Sequence, residues 1–142
     1  MSETTKIETP GPFAAIILAA GKGTRMKSAR HKVLHPIAGK PMLGHLMDAL
    51  DCLKPVETVV VLGAGREEVA PFVAERGAKI ALQEQQLGTG HAAMQARSAL
   101  EGFDGDVLAC FGDVPMVRAE TVAAMLDRLH ADDAPASVVL AF

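Results

Sequence analysis

An α/β fold, a mostly parallel sheet with helices on both faces, is what three features of this 142-residue sequence predict. Short continuous apolar runs recur along the chain, and such runs suit strands covered on both sides. Between them lie stretches whose apolar residues fall at helical spacing. The two kinds of stretch alternate from residue 13 onward, with no internal repeat and no low-complexity segment. Alternation of this sort builds a parallel sheet, because a parallel strand pair needs a crossover long enough to hold a helix.

The elements follow in order. Residues 1–12, "MSETTKIETPGP", are polar, mixed in charge and rich in breakers, and read as a disordered tail. "FAAIILAA" (13–20) is the first strand, followed by a loop of Gly, Lys and Arg over 21–31. Pro41 stands at the first turn of a helix over 41–53, whose Met42, Leu43, Leu46, Met47, Leu50 and Leu53 form a core-facing stripe. "ETVVVLGAG" (57–65) is the second strand and its turn. "REEVAPFVAERG" (66–77) is a helix that Pro71 kinks or shortens. "AKIALQ" (78–83) is the third strand, and "GTGHAAMQARSALEGF" (88–103) is a Gly-rich turn entering an Ala-rich helix. "GDVLACFGDVP" (105–115) holds the fourth strand, "RAETVAAMLDRLHADD" (118–133) is a helix, and "ASVVLAF" (136–142) opens a fifth strand. A sequence that stops inside a strand reads as truncated, the front part of a larger domain.

Composition narrows the function. The net charge is −3 and Phe is the only aromatic type, so neither a basic surface nor a set of stacking rings for nucleic acid is present. Cys52 and Cys110 form no CxxC pair and read as buried thiols in a reducing compartment. No signal peptide precedes the first strand, and no apolar run reaches the ~18 residues of a membrane helix. A soluble, cytoplasmic protein that binds neither nucleic acid nor membrane is the expectation.

In open α/β sheets ligands sit beyond the carboxyl ends of the strands. After the first strand, Gly21, Gly23 and Thr24 belong to a turn whose backbone N–H groups can cradle an anion. Arg25 adds a planar, permanently charged fork and Lys22 a point charge, both suited to phosphate. The G-x-G-x-x-G pattern fails because its third position is Met26. The Walker pattern fails because Gly39-Lys40 is followed by Pro41 and Gly21-Lys22 by Gly23. Lys32 in "HKVLH" is a second basic group, whereas His31, His35 and His45 have no metal-ligand spacing. After the third strand comes "QEQQLGTGHA" (83–92): the amides of Gln83 and Gln86 can read a planar base edge, and Gly88 and Thr89 allow close approach to a base or sugar. After the fourth strand, Phe111 and Gly112 lead to Asp113, the best carboxylate in the chain for Mg²⁺, which nucleotide enzymes hold through one or two carboxylates plus phosphate oxygens. Phosphate, base and metal loops after the first, third and fourth strands suit nucleotidyl transfer, in which catalysis is positioning and charge neutralisation.

"ILAAGKGTRMKS…KVLHPIAGKPML", "QLGTGHA" and "GDVPM", in that order, resemble the signatures of bacterial N-acetylglucosamine-1-phosphate uridyltransferases, the pyrophosphorylase half of a bifunctional acetyltransferase. The resemblance spans 13–142 and implies a Rossmann-like nucleotide-diphospho-sugar transferase fold with Mg²⁺ as cofactor. The substrates it implies are UTP and N-acetylglucosamine 1-phosphate, giving UDP-N-acetylglucosamine and pyrophosphate for cell-wall precursors. It casts Leu18, Ala19, Ala20 and Gly21 as the segment against uracil and ribose, and Arg25 and Lys32 as the phosphate grip. Gln83, Gly88 and Thr89 become uracil readers and Asp113 the Mg²⁺ ligand, with Phe111 and Gly112 before it. Two departures stand out. His31 replaces the proline that commonly precedes this lysine, and the sugar-binding motifs and trimer-forming β-helix domain of the family lie further on than residue 142. The uridine-binding half is therefore the part expected here, with oligomer formation through an unpaired sheet edge open to it. Two alternatives remain: a nucleotidyltransferase for another sugar phosphate or for molybdopterin, and a non-catalytic nucleotide-binding remnant.

Overall fold

In the computed structural model, which describes residues 6–21 and 29–141, the elements run in this order. β1 (Phe13–Ala19) comes first. A 3-10 turn at Lys32–Leu34 leads to the short antiparallel pair β2 (Pro36–Ile37) and β3 (Lys40–Pro41), and then to α1 (Met42–Asp51). Next come β4 (Glu57–Leu62), α2 (Arg66–Glu75) and β5 (Lys79–Leu82). α3 (Thr89–Met94), a second 3-10 turn at Ser98–Leu100, β6 (Asp106–Phe111) and α4 (Ala119–Leu129) are the last of the described elements. β1, β4, β5 and β6 form one parallel sheet in the order β5-β4-β1-β6.

β1 sits inside that sheet because it is apolar on both faces. Its register places Ile17 beside Val60 of β4 and Cys110 of β6. Alternate residues point to opposite faces of a strand. Accordingly Phe13, Ala15, Ile17 and Ala19 join Val60 and Leu62 in the larger core, against Leu46 of α1, Val69 of α2 and Val122 of α4. Ile16 and Ala20 join Val59 and Val61 in a smaller core on the other face, against Ala92 and Ala96. Helices on both faces of a mostly parallel sheet are thus what the chain forms. Among the described residues no helix is long and apolar enough to cross a membrane.

Several boundaries differ from the sequence expectation, each for a physical reason. The helix expected over 88–103 is α-helical only to Met94; beyond it the bonds become 3-10 in type, from Gln95 N–H to Ala92 O and from Arg97 N–H to Met94 O. The tighter winding holds Ala92 and Ala96 against the sheet. α2 continues four residues past the exposed Pro71 and stops at Glu75, two short of expectation. The β2–β3 pair was absent from the sequence reading, since two-residue strands carry no period; its turn, Ala38-Gly39, has φ of 49° and 80°, the conformation favoured in two-residue hairpins. The fifth strand expected from Ala136 is not formed within 136–141. Apolar character alone does not make a strand: it exists through ladder bonds, and this segment makes none with β6.

Candidate functional site

At the carboxyl end of the sheet a cleft of about 350 Å³ opens between the residues that follow β1, β5 and β6. That volume is at the lower end of what small-ligand sites enclose. Leu18, Ala19, Ala20 and Gly21 form its floor, Gln83, Gln86, Gly88 and Thr89 one side, and Lys32, Phe111 and Asp113 the other.

The Lys32 side is built by close packing. Gly112 N–H donates to Leu18 O at 2.9 Å, which carries the β6 ladder one residue beyond the strand. A Cβ on Gly112 would stand 3.2 Å from both Ala19 Cβ and Val33 Cγ1, so a glycine lets the end of β6 close on the 3-10 turn. Lys32 Nζ then lies 2.6 Å from Asp113 Oδ2, both side chains about one-third exposed. The two residues cast as phosphate grip and metal ligand are partners in an ion pair.

His31 sets the entry to that turn. Its Nδ1 accepts from Val33 N–H at 3.4 Å, and its own N–H, which a proline would lack, donates to Glu68 Oε1 on α2. Burial holds the imidazole below its ordinary 6.5, with the Glu68 carboxylate pulling the other way. The folded pKa is thus depressed, and the unfolded chain takes the proton first as pH falls through about 6.5. Stability should therefore drop on acidification there and recover above it. Thermal melts between about pH 5 and 8 should show that slope, and His31→Asn, whose amide oxygen can still accept from Val33, should flatten it. An unchanged slope in the variant would assign it to another group.

The opposite side is held by amides. Gln83 is 5% exposed, and its backbone N–H donates to Leu62 O at 2.8 Å, which extends the β5 ladder into the site. Its side-chain Nε2 donates to Gly88 O at 3.2 Å and meets His91 Nδ1 at 2.9 Å. Gln86 Nε2 donates to Ala20 O at 2.8 Å, tying the loop after β5 to the end of β1.

Of the residues singled out in the sequence, the cleft brings together Leu18, Ala19, Ala20, Gly21, Lys32, Gln83, Gln86, Gly88, Thr89, Phe111 and Asp113, with Gly112 directly behind it. Lys22, Gly23, Thr24 and Arg25 lie outside the described residues. Sequence reasoning missed Val33 and Ala92 in the lining, and Glu68 and His91 behind it. The apolar pair after Lys32 was a usable signal for Val33; Glu68 is 37 residues from His31 and nothing local marks it. Among the described residues no three His, Cys, Asp or Glu side chains gather to hold a metal.

A parallel sheet of this order, with one cleft at its carboxyl end flanked by an ion-paired lysine and a set of amides, defines an α/β nucleotidyltransferase fold. A nucleotidyl transferase from Methanothermobacter thermautotroptrophicus superposes with a TM-score of 0.70 at 21% identity, over 82% of this chain and 57% of its own. The chain belongs to the MobA-like NTP transferase domain family, whose pattern matches residues 15–141. Among curated proteins it is similar to the bifunctional protein GlmU of Rhizorhabdus wittichii, 64% identical over 94% of this chain and 30% of that protein. The bifunctional protein GlmU of Sphingopyxis alaskensis is 63% identical over 92% of this chain and 29% of its own length. The chain thus spans under a third of the length of these relatives.

Proposed function

We propose that this chain is the nucleotide-binding part of a uridyltransferase acting on UTP and N-acetylglucosamine 1-phosphate. The carrying observation is that the residues of three separate motifs line one cleft, with the Lys32–Asp113 pair on one side and Gln83 and Gln86 on the other. The identity with GlmU proteins supports the choice of uridine and of the amino sugar. In the proposed reaction a sugar-phosphate oxygen attacks the α-phosphorus of UTP, the bond from that phosphorus to the bridging oxygen breaks, and pyrophosphate leaves.

The residues divide the work by position. Uracil would lie against the Leu18–Gly21 segment, its edge met by Gln83 and the Gly88-Thr89 backbone. Arg25 and Lys32 would neutralise charge on the triphosphate as it builds in the transition state, the kind of preorganised electrostatics that most lowers such barriers. Asp113 fits a divalent cation: it is a carboxylate lining the cleft, with Oδ2 paired to Lys32 and Oδ1, among the described residues, left over, and Mg²⁺ is commonly bound through one or two carboxylates with phosphate and water completing the shell. When bound there, Mg²⁺ supplies further neutralisation of the phosphates.

A thermal unfolding scan tests the reading. UTP with Mg²⁺, at about a hundred times its dissociation constant, should raise stability by roughly 2.7 kcal/mol, and GTP should not. No rise with UTP would leave the non-catalytic remnant as the better account.

A further inference from the structure

We infer that His91 is a positioning residue for base selection: it locks the Gln83 amide in the orientation that accepts from uracil and refuses cytosine. The inference rests on the uridine reading above and concerns a side chain outside the cleft lining. An amide's two ends match in shape but are opposite in hydrogen-bonding sense, so a 180° turn of Gln83 would exchange donor for acceptor. Gly88 O can only accept, and it stands 3.2 Å from Gln83 Nε2. That carbonyl decides which end of the amide faces the backbone. His91 Nδ1 stands 2.9 Å from the same nitrogen. Beside an amide N–H₂ the Nδ1 position acts as acceptor, which puts the ring proton on Nε2 and leaves the 3.3 Å approach of Gln95 Nε2 to that nitrogen without a hydrogen bond.

Both amide protons of Gln83 thus have acceptors, and its Oε1 is the end left for a ligand. The N3 position of uracil carries a hydrogen and donates to that oxygen. The N3 position of cytosine carries a lone pair and opposes it. A flipped amide would reverse the preference, and at 5% exposure Gln83 has little water to compensate a wrong partner. His91 supplies one of the two acceptors that prevent the flip. Gln95 Nε2 donates to the His91 backbone carbonyl at 3.0 Å, which ties the turn that carries the ring.

The test compares UTP and CTP binding, each with Mg²⁺, to the full chain and to three variants, alongside Tm. His91→Leu keeps bulk and removes the acceptor. His91→Asn keeps an acceptor oxygen near the place of Nδ1. His91→Ala stands in for the leucine variant should that one fail to fold. The expected result is that the UTP-over-CTP preference falls roughly three- to tenfold in His91→Leu, the worth of one hydrogen bond, and returns in His91→Asn. A merely structural role would weaken both nucleotides by the same factor and leave the ratio alone, and that result overturns the inference. Equal binding of UTP and CTP by the unaltered chain would instead overturn the uridine reading, and this inference with it.

Discussion

Asp113→Asn is expected to bind UTP equally well with Mg²⁺ and with a chelator. The unaltered chain should bind far better with the metal. Two changes act together. The amide is a poor ligand for a hard cation, so the Mg²⁺-dependent gain disappears. The amide also carries no charge to pair with the Lys32 ammonium, whose Nζ is 2.6 Å from the Asp113 carboxylate. The freed ammonium becomes available to phosphate, and a negative charge leaves the site. Metal-free UTP should therefore bind the variant more tightly than it binds the unaltered chain, by about 1 kcal/mol or roughly fivefold after allowing for solvent screening of a partly exposed pair. Calorimetric titrations with Mg²⁺ and with EDTA measure both effects. A Mg²⁺ stimulation retained in the variant would move the metal ligand to another residue.

Gly63→Ala is expected to damage folding and site together. A Cβ at this position would sit 2.7 Å from Ala20 O and 3.2 Å from Ala20 Cβ. Backbone cannot swing away as a flexible side chain can, so the exits of β1 and β4 must separate. Overpacking of that kind costs roughly 1–3 kcal/mol. Ala20 O is also the acceptor for Gln86 Nε2, so the strut across the cleft shifts with it. A lower denaturation midpoint and weaker UTP binding should appear in the same variant. Gly11→Ala, where an added Cβ meets nothing within 4 Å, serves as the control. Equal midpoints for the two variants would remove the strand contact as a constraint.

The strands were legible where burial on both faces wrote a continuous apolar run, as in "FAAIILAA", and the cleft was legible because its residues follow those strands directly. What escaped depends on distance along the chain. The Lys32–Asp113 pair, the Glu68 acceptor for His31 and the Gln86 strut to Ala20 each join residues that only the sheet order brings together. The opposite error occurred at "ASVVLAF": hydrophobicity suggested a strand where the described residues form no ladder. The helix after Gly88 was overextended because an Ala-rich sequence does not reveal where α winding tightens to 3-10.

The central place of β1 in the sheet has a bearing on biosynthesis. The strand is made first, yet its partners begin only at residues 57 and 106. Folding that waits on such distant partners is slow, since the chain between must be brought round before any bond rewards it. On the ribosome the wait is also literal. At about 5–20 residues per second, some 5–20 s separate the emergence of β1 from that of β6. Through that interval one side of an apolar strand stands open, and the cleft has no wall to carry Asp113. A chain in this state exposes the kind of surface that chaperones cover, and the cleft is complete only once the last of these strands has docked.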